Sequence, residues 1–173
     1  LLSNLLTKVN HMGNNNNSGK IHPLMRIPVP WVFLIPYLVG VGIQFIVPLT
    51  ISSVVLLTIT QVLSILLLVV GVTLAAWAQW LFRKEHTTTD PNQTSTRLIT
   101  WGPYRFSRNP MYIGLFLIFI GISGIFTLVW SLILLLFVVY YLNWIVIPVE
   151  EKQLRKNFGE AYEQYCERVR RWI

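Results

Sequence analysis

Charge is what this sequence has least of. Charged residues make up 12% of its 173 positions, where a soluble domain carries about a quarter. Two long stretches, Ile27 to Phe82 and Asn109 to Val149, contain none. Hydrophobic residues account for 54%, and the mean hydropathy is +0.56. An ordinary soluble domain is excluded, and an integral membrane protein is implied. Cysteine is almost missing. Cys166 stands alone, so no disulfide forms within the chain, and no Cys/His cluster has zinc spacing. There is no long internal repeat. Leu1 to Leu6 is too short for the apolar core of a signal peptide and lacks its basic and small-residue flanks. The net charge of +7 does not call for nucleic acid. In membrane proteins Lys and Arg collect on the cytoplasmic side and meet anionic lipid.

The expected fold is all-α: an integral membrane helical bundle of about four transmembrane helices, followed by an amphipathic cytosolic helix. Residues 1–26 are polar and irregular, with the run Asn14 to Asn17, and read as a flexible segment. Residues 27–173 read as one membrane domain. The first charge-free stretch is too long for a single span of about 20 residues. Pro48 and the polar residues Thr50, Ser52 and Ser53 mark a break, giving spans near 29–48 and 54–82. The second stretch divides at Gly121, Ser123 and Gly124 into spans near 111–122 and 128–147, the latter ended by Pro148. Gln61, Ser64, Leu68, Gly71, Ala75 and Ala78 recur at helical spacing, and Gly114 and Gly121 lie one heptad apart. Such small residues let helices approach closely in lipid; a packing face and a ligand-binding face both fit. Asn143, the one strongly polar side chain in the last span, serves either an interhelical hydrogen bond or a site. Trp77 and Trp80 fit an interfacial belt, and Leu98-Ile99 reads as a dip back towards the bilayer. Thr87-Thr88-Thr89-Asp90-Pro91 is turn chemistry.

Every Lys and Arg falls in the N-terminal segment, the loop 83–108 or the C-terminal tail. With four spans, all three lie on one side, which the positive-inside rule makes the cytoplasm. After Pro148, Glu150-Glu151 opens a helix expected to reach 172, with Leu154, Phe158, Tyr162, Tyr165, Val169 and Trp172 on one face and Gly159 as a weak point. Arg168, Arg170, Arg171 and Trp172 read as a basic aromatic end suited to lipid headgroups.

The run Trp101 to Gly114 organises the chain. Gly102-Pro103 forces a turn, and Pro110 suits the first turn of a helix. That helix start, with Arg105 and Arg108 beside it, suits an anion at a membrane surface. Arg108 and the Glu150-Glu151 pair stand at the two ends of one two-span hairpin, which brings them together. The meeting is either an ion pair that seals the hairpin base or a ligand site.

The stretch Gly102-Pro-Tyr-Arg-Phe-Ser-Arg-Asn-Pro-Met-Tyr-Ile-Gly114, followed by Glu150-Glu-Lys-Gln-Leu-Arg-Lys-Asn-Phe-Gly-Glu-Ala-Tyr-Glu-Gln-Tyr165, resembles the isoprenylcysteine carboxyl methyltransferase family. That family is related to the phospholipid N-methyltransferases. The resemblance covers residues 97–167 closely; the first two spans match only in being hydrophobic. It implies a methyltransferase that uses S-adenosylmethionine and a lipid-like or prenylated acceptor, with carboxyl O-methylation the expected reaction. Carried over by position, Tyr104, Arg108, Asn109, Pro110 and Tyr112 would line the cofactor site. Glu150 and Glu151 would hold cofactor groups or orient the acceptor, and Tyr162 and Tyr165 would close the pocket. Arg108 and Glu151 are the expected catalytic pair. The chain departs from the pattern at Asn109, which stands in place of His and cannot titrate near neutral pH. Two other readings fit the residues: an NADPH-dependent reductase of sterol-reductase type, and a non-catalytic membrane protein with the same fold. Metal is not expected, and the partners are membrane lipids and the acceptor.

Overall fold

The computed structural model describes residues 29–50, 53–85 and 97–173. The flexible segment expected at 1–26, the polar residue Ser52 of the first break and the Thr87–Pro91 turn lie outside the described residues. The fold is an all-α membrane bundle. Its helices are α1 (Val29–Ile46), α2 (Val54–Lys84), α3 (Pro110–Ile125), α4 (Val129–Tyr141), α5 (Ile147–Phe158) and α6 (Glu160–Arg168). Helix is the natural state of these stretches because only intra-segment bonds can satisfy the backbone inside a bilayer. α1, α2 and the continuous α4–α5 unit are long and apolar enough to cross a membrane, whereas α3 is a shorter apolar helix of 16 residues.

The bundle is held by close approach. On α2 the residues Ser64 and Gly71 are buried, and they face Gly114, Gly121 and Gly124 of α3. A Cβ at Gly114 would sit 2.8 Å from the backbone nitrogen of Ala75, and one at Gly121 would sit 2.8 Å from the Ser64 carbonyl oxygen. Neither helix can withdraw without losing the packing that holds them in lipid. The expected small-residue face is therefore a packing face. α1 pairs with α4 in the same manner. A Cβ at Gly40 would lie 2.5 Å from the Ser131 Cα, and the Ser131 hydroxyl donates to the Tyr37 carbonyl at 3.2 Å. At the far end Trp130 Nε1 donates to the Val47 carbonyl (2.8 Å) and Gln61 Nε2 to that of Ile125 (3.3 Å). The two short turns thus lie together, opposite the basic loop and tail.

Three expectations change. Pro148 does not end the last span. α4 passes through a single π turn, Leu142–Val146, and continues as α5. Pro148 has no N–H and its ring would strike the carbonyl of Trp144 in a regular helix; the wider turn, closed by Ile147 N–H to the Leu142 carbonyl, relieves that conflict. Glu150 and Glu151 therefore sit inside a helix and not at its start. Second, the segment 150–172 is not one helix. Gly159, at φ +52°, separates α5 from α6, a conformation that costs glycine little, and residues after Arg168 leave the helix. Third, Leu98-Ile99 packs against protein. Ile99 is buried against Ala78, Leu81 and Tyr104, while Leu98 packs on Tyr162 and Tyr165.

Gly121→Leu is expected to destabilise the protein by about 1–3 kcal/mol or more through overpacking. Gly42→Leu is expected to be neutral, because nothing lies within 4 Å of a Cβ there. Thermal unfolding in detergent measures both.

Candidate active site

The site forms where α3 begins and the α4–α5 unit leaves its apolar stretch. Gly102, at φ +64°, starts a short turn of helix over Gly102–Arg105. It buries Tyr104, whose ring meets Phe82 edge-on at 5.5 Å. The chain then reaches Ser107, Arg108 and Asn109 and enters α3 at the fully buried Pro110.

Glu151 is the centre. It is 5% exposed. Arg108 Nη1 lies 3.3 Å from its Oε1. Arg171 approaches from the tail and makes a forked pair, Nη2 to Oε2 at 2.8 Å and Nε to Oε1 at 3.1 Å. Arg155, one turn along α5, stands 4.0 Å from Oε2 and bonds Glu163 more closely at 2.8 Å. Arg108 also donates to Cys166 Sγ at 2.7 Å and lies against the Tyr162 hydroxyl. Its Nε is buried and has no partner among the described residues. Burial opposes the charge on Arg108, but Glu151, Cys166 and Tyr162 together outweigh it, so its pKa is raised and it stays a cation.

The neighbouring carboxylate is held differently. Tyr112 donates to Glu150 Oε1 at 2.6 Å, a short bond of the strong kind. Glu150 is the first charged residue of the α4–α5 unit. Burial raises the phenols of Tyr104, Tyr162 and Tyr165, so all three remain neutral.

The nine expected residues are brought to one end of the bundle, but they do not play one part. Arg108, Glu151, Glu150, Tyr112 and Tyr162 form one polar cluster. Tyr165 and Asn109 spend their polar groups on the walls: the Tyr165 hydroxyl donates to the Tyr104 carbonyl at 2.7 Å, and Asn109 Nδ2 to the Arg171 carbonyl at 3.0 Å. Pro110 and Tyr104 are packing residues of the wall.

Sequence reasoning missed the tail. Arg171 and Trp172 do not reach outward for headgroups. Trp172 Nε1 donates to Asn143 Oδ1 at 3.2 Å and its ring stands 5.7 Å from Phe116. Arg171 Nη1 reaches the same Asn143 oxygen at 3.4 Å. Asn143 thus bonds the tail, and it does so from the π turn. No signal in the sequence separated Arg171 from Arg168 and Arg170, because the tail's course depends on where α6 stops.

Comparison with protein families matches the chain over residues 59–161 to one described as phospholipid methyltransferase. That is more than half of the 173 residues. The chain belongs to the phospholipid methyltransferase family. It is therefore an integral membrane methyltransferase, related to the family that the motifs resemble. Comparisons with curated proteins and with solved structures give no match. The phospholipid methyltransferase match runs from α2 to the start of α6 and takes in Arg108, Glu150 and Glu151. It leaves α1 and the tail, with Arg171, outside.

Tyr112→Phe removes the 2.6 Å bond to Glu150 Oε1. The loss is expected to cost about 1–3 kcal/mol of stability, read as a lowered unfolding temperature in detergent. An unchanged unfolding temperature would show that the Tyr112 bond does not hold Glu150.

Proposed function

We propose that this membrane methyltransferase uses S-adenosylmethionine to methylate the polar end of a lipid-like acceptor. The observation that carries the reading is Arg108: a partly buried guanidinium at the hairpin base, beside Glu151, with its Nε buried and unpartnered among the described residues. The cofactor's amino-acid end needs a cationic donor and an anionic acceptor side by side, and the residues present fit that need. S-adenosylmethionine supplies an electrophilic methyl group on a sulfonium. Arg108 binds a carboxylate, and Glu150 and Glu151 hold an ammonium or orient the acceptor. Tyr104, Pro110, Tyr112 and Tyr162 wall the pocket and exclude water, while Asn109 and Tyr165 fix the wall. The protein's contribution is then orientation of two reactants and desolvation.

The motif resemblance supports carboxyl O-methylation of a prenylated acceptor. A carboxylate is nucleophilic as it stands, so Asn109 in place of His removes nothing the reaction needs. The family match supports a second acceptor, the amine of a phospholipid headgroup. An amine must lose a proton, and Glu150, held by Tyr112 beside Glu151, is the carboxylate placed to take it. The proposed sidedness places the N-terminus, the loop 83–108 and the C-terminus in the cytoplasm. It is supported by the described Lys and Arg, all of which fall in the segments at the site end of the bundle, and by the positive-inside rule.

With labelled S-adenosylmethionine, the purified enzyme is expected to methylate either a prenylcysteine carboxylate or a phospholipid amine. Arg108→Ala and Glu151→Gln are expected to lose on the order of a hundredfold in turnover through misplacement of the reactants, while eluting as the wild type does. Normal turnover in both variants would put the site elsewhere.

A further inference from the structure

Arg171 is tied to the loop ahead of α3, to Glu151 of α5 and to Asn143 of the π turn. Its carbonyl accepts from the Ser107 hydroxyl at 3.2 Å and from Asn109 Nδ2 at 3.0 Å. The preceding carbonyl, of Arg170, accepts the backbone N–H of Arg108 at 3.0 Å. Its guanidinium forks onto both oxygens of Glu151 and touches Asn143. The tail that carries it is anchored by Val169, buried against Tyr162 and Tyr165, and by Trp172 on Asn143 and Phe116.

The geometry at Glu151 is a competition. A carboxylate buried to this degree takes whatever cation reaches it, since an unpaired buried charge is costly. The planar fork of a guanidinium fits it best when two N–H groups face the two oxygens. Arg171 has that forked seat. Arg108 is left with a single, longer contact at 3.3 Å, and its Nε faces no oxygen. Without Arg171, Arg108 is the nearest remaining guanidinium and can turn its own fork onto Glu151.

We infer that Arg171 is a positioning residue: by holding Glu151 it keeps the Arg108 guanidinium from forking onto that carboxylate and leaves the rest of it for an anionic group of the ligand. The identity of that group rests on the methyltransferase reading; the competition for Glu151 does not. Arg171 acts through Arg108, so removing it has no further effect once Arg108 is gone.

The test is a double-mutant cycle on the full chain in detergent, with Arg108→Ala, Arg171→Ala and the pair. Cys166 is the sole cysteine and accepts a bond from Arg108, so its rate of alkylation by N-ethylmaleimide reports the orientation of Arg108 without any cofactor. The expected result is that Arg171→Ala changes that rate in the wild-type background and leaves it unchanged in the Arg108→Ala background. A change of equal size in both backgrounds would mean that loss of Arg171 merely loosens the tail, and would overturn the inference. Affinity for S-adenosylhomocysteine is the second reading of the same cycle. Arg171→Ala is expected to weaken it about tenfold, non-additively with Arg108→Ala, and Arg171→Lys, which keeps the charge but not the fork, to recover part of the loss. Coupled alkylation rates in a protein that binds no S-adenosylhomocysteine would support the positioning role while sinking the methyltransferase cofactor reading. If Arg171→Ala does not fold, Arg171→Lys carries the cycle, with the same coupling expected at smaller size.

Discussion

The buried carboxylate of Glu151 is shared by guanidiniums from separate parts of the chain, and the functional end of the molecule depends on that sharing. Arg108 arrives from the loop ahead of α3, Arg171 from the tail and Arg155 from the next turn of α5. Removing one of these cations leaves the buried Glu151 with fewer partners, which costs more than the pair contributes. The arrangement therefore fixes how the loop, the α4–α5 unit and the tail sit together. It also leaves Arg108 Nε without a partner among the described residues, and the proposed binding of an anionic ligand group rests on that donor.

Glu151 can occupy that position only because the helices below it are held at short range. Glycines on α3 meet Ser64, Leu68, Gly71 and Ala75 of α2 almost backbone to backbone. In lipid the contact is made by shape and not by expulsion of water, so the absence of side chains at these points is what the packing requires. The π turn at Leu142–Val146 adds the second condition. One extra residue turns everything beyond it by about 100° relative to a regular helix; the turn carries Asn143 and precedes the Glu150-Glu151 pair. Turns of this kind often mark functional sites.

Much of this was legible in the residues. The charge-free stretches located the helices, Pro110 located the start of α3, and the spacing of small residues located the α2–α3 contact. The hairpin argument brought Arg108 to Glu151 before any coordinates. The rest depended on long-range geometry. Pro148 looks like a helix end in isolation, and only the π turn before it shows how the helix passes through. The basic tail looked like a headgroup anchor because Arg and Trp near a membrane usually are one; its inward course follows from Gly159 and the end of α6 at Arg168. Ile99 looked lipid-bound because it is apolar, yet its partners, Leu81 and Tyr104, are protein. In each case the local pattern was compatible with two environments, and a distant segment decided between them.

The central claim is that Arg108 and its carboxylates form a cofactor site for methyl transfer. Calorimetric titration of the purified protein with S-adenosylhomocysteine, with NADPH alongside, tests it most directly. The account requires saturable binding of S-adenosylhomocysteine that is lost in Arg108→Ala, and no binding of NADPH. Binding of NADPH alone, or S-adenosylhomocysteine binding that survives Arg108→Ala unchanged, would contradict it.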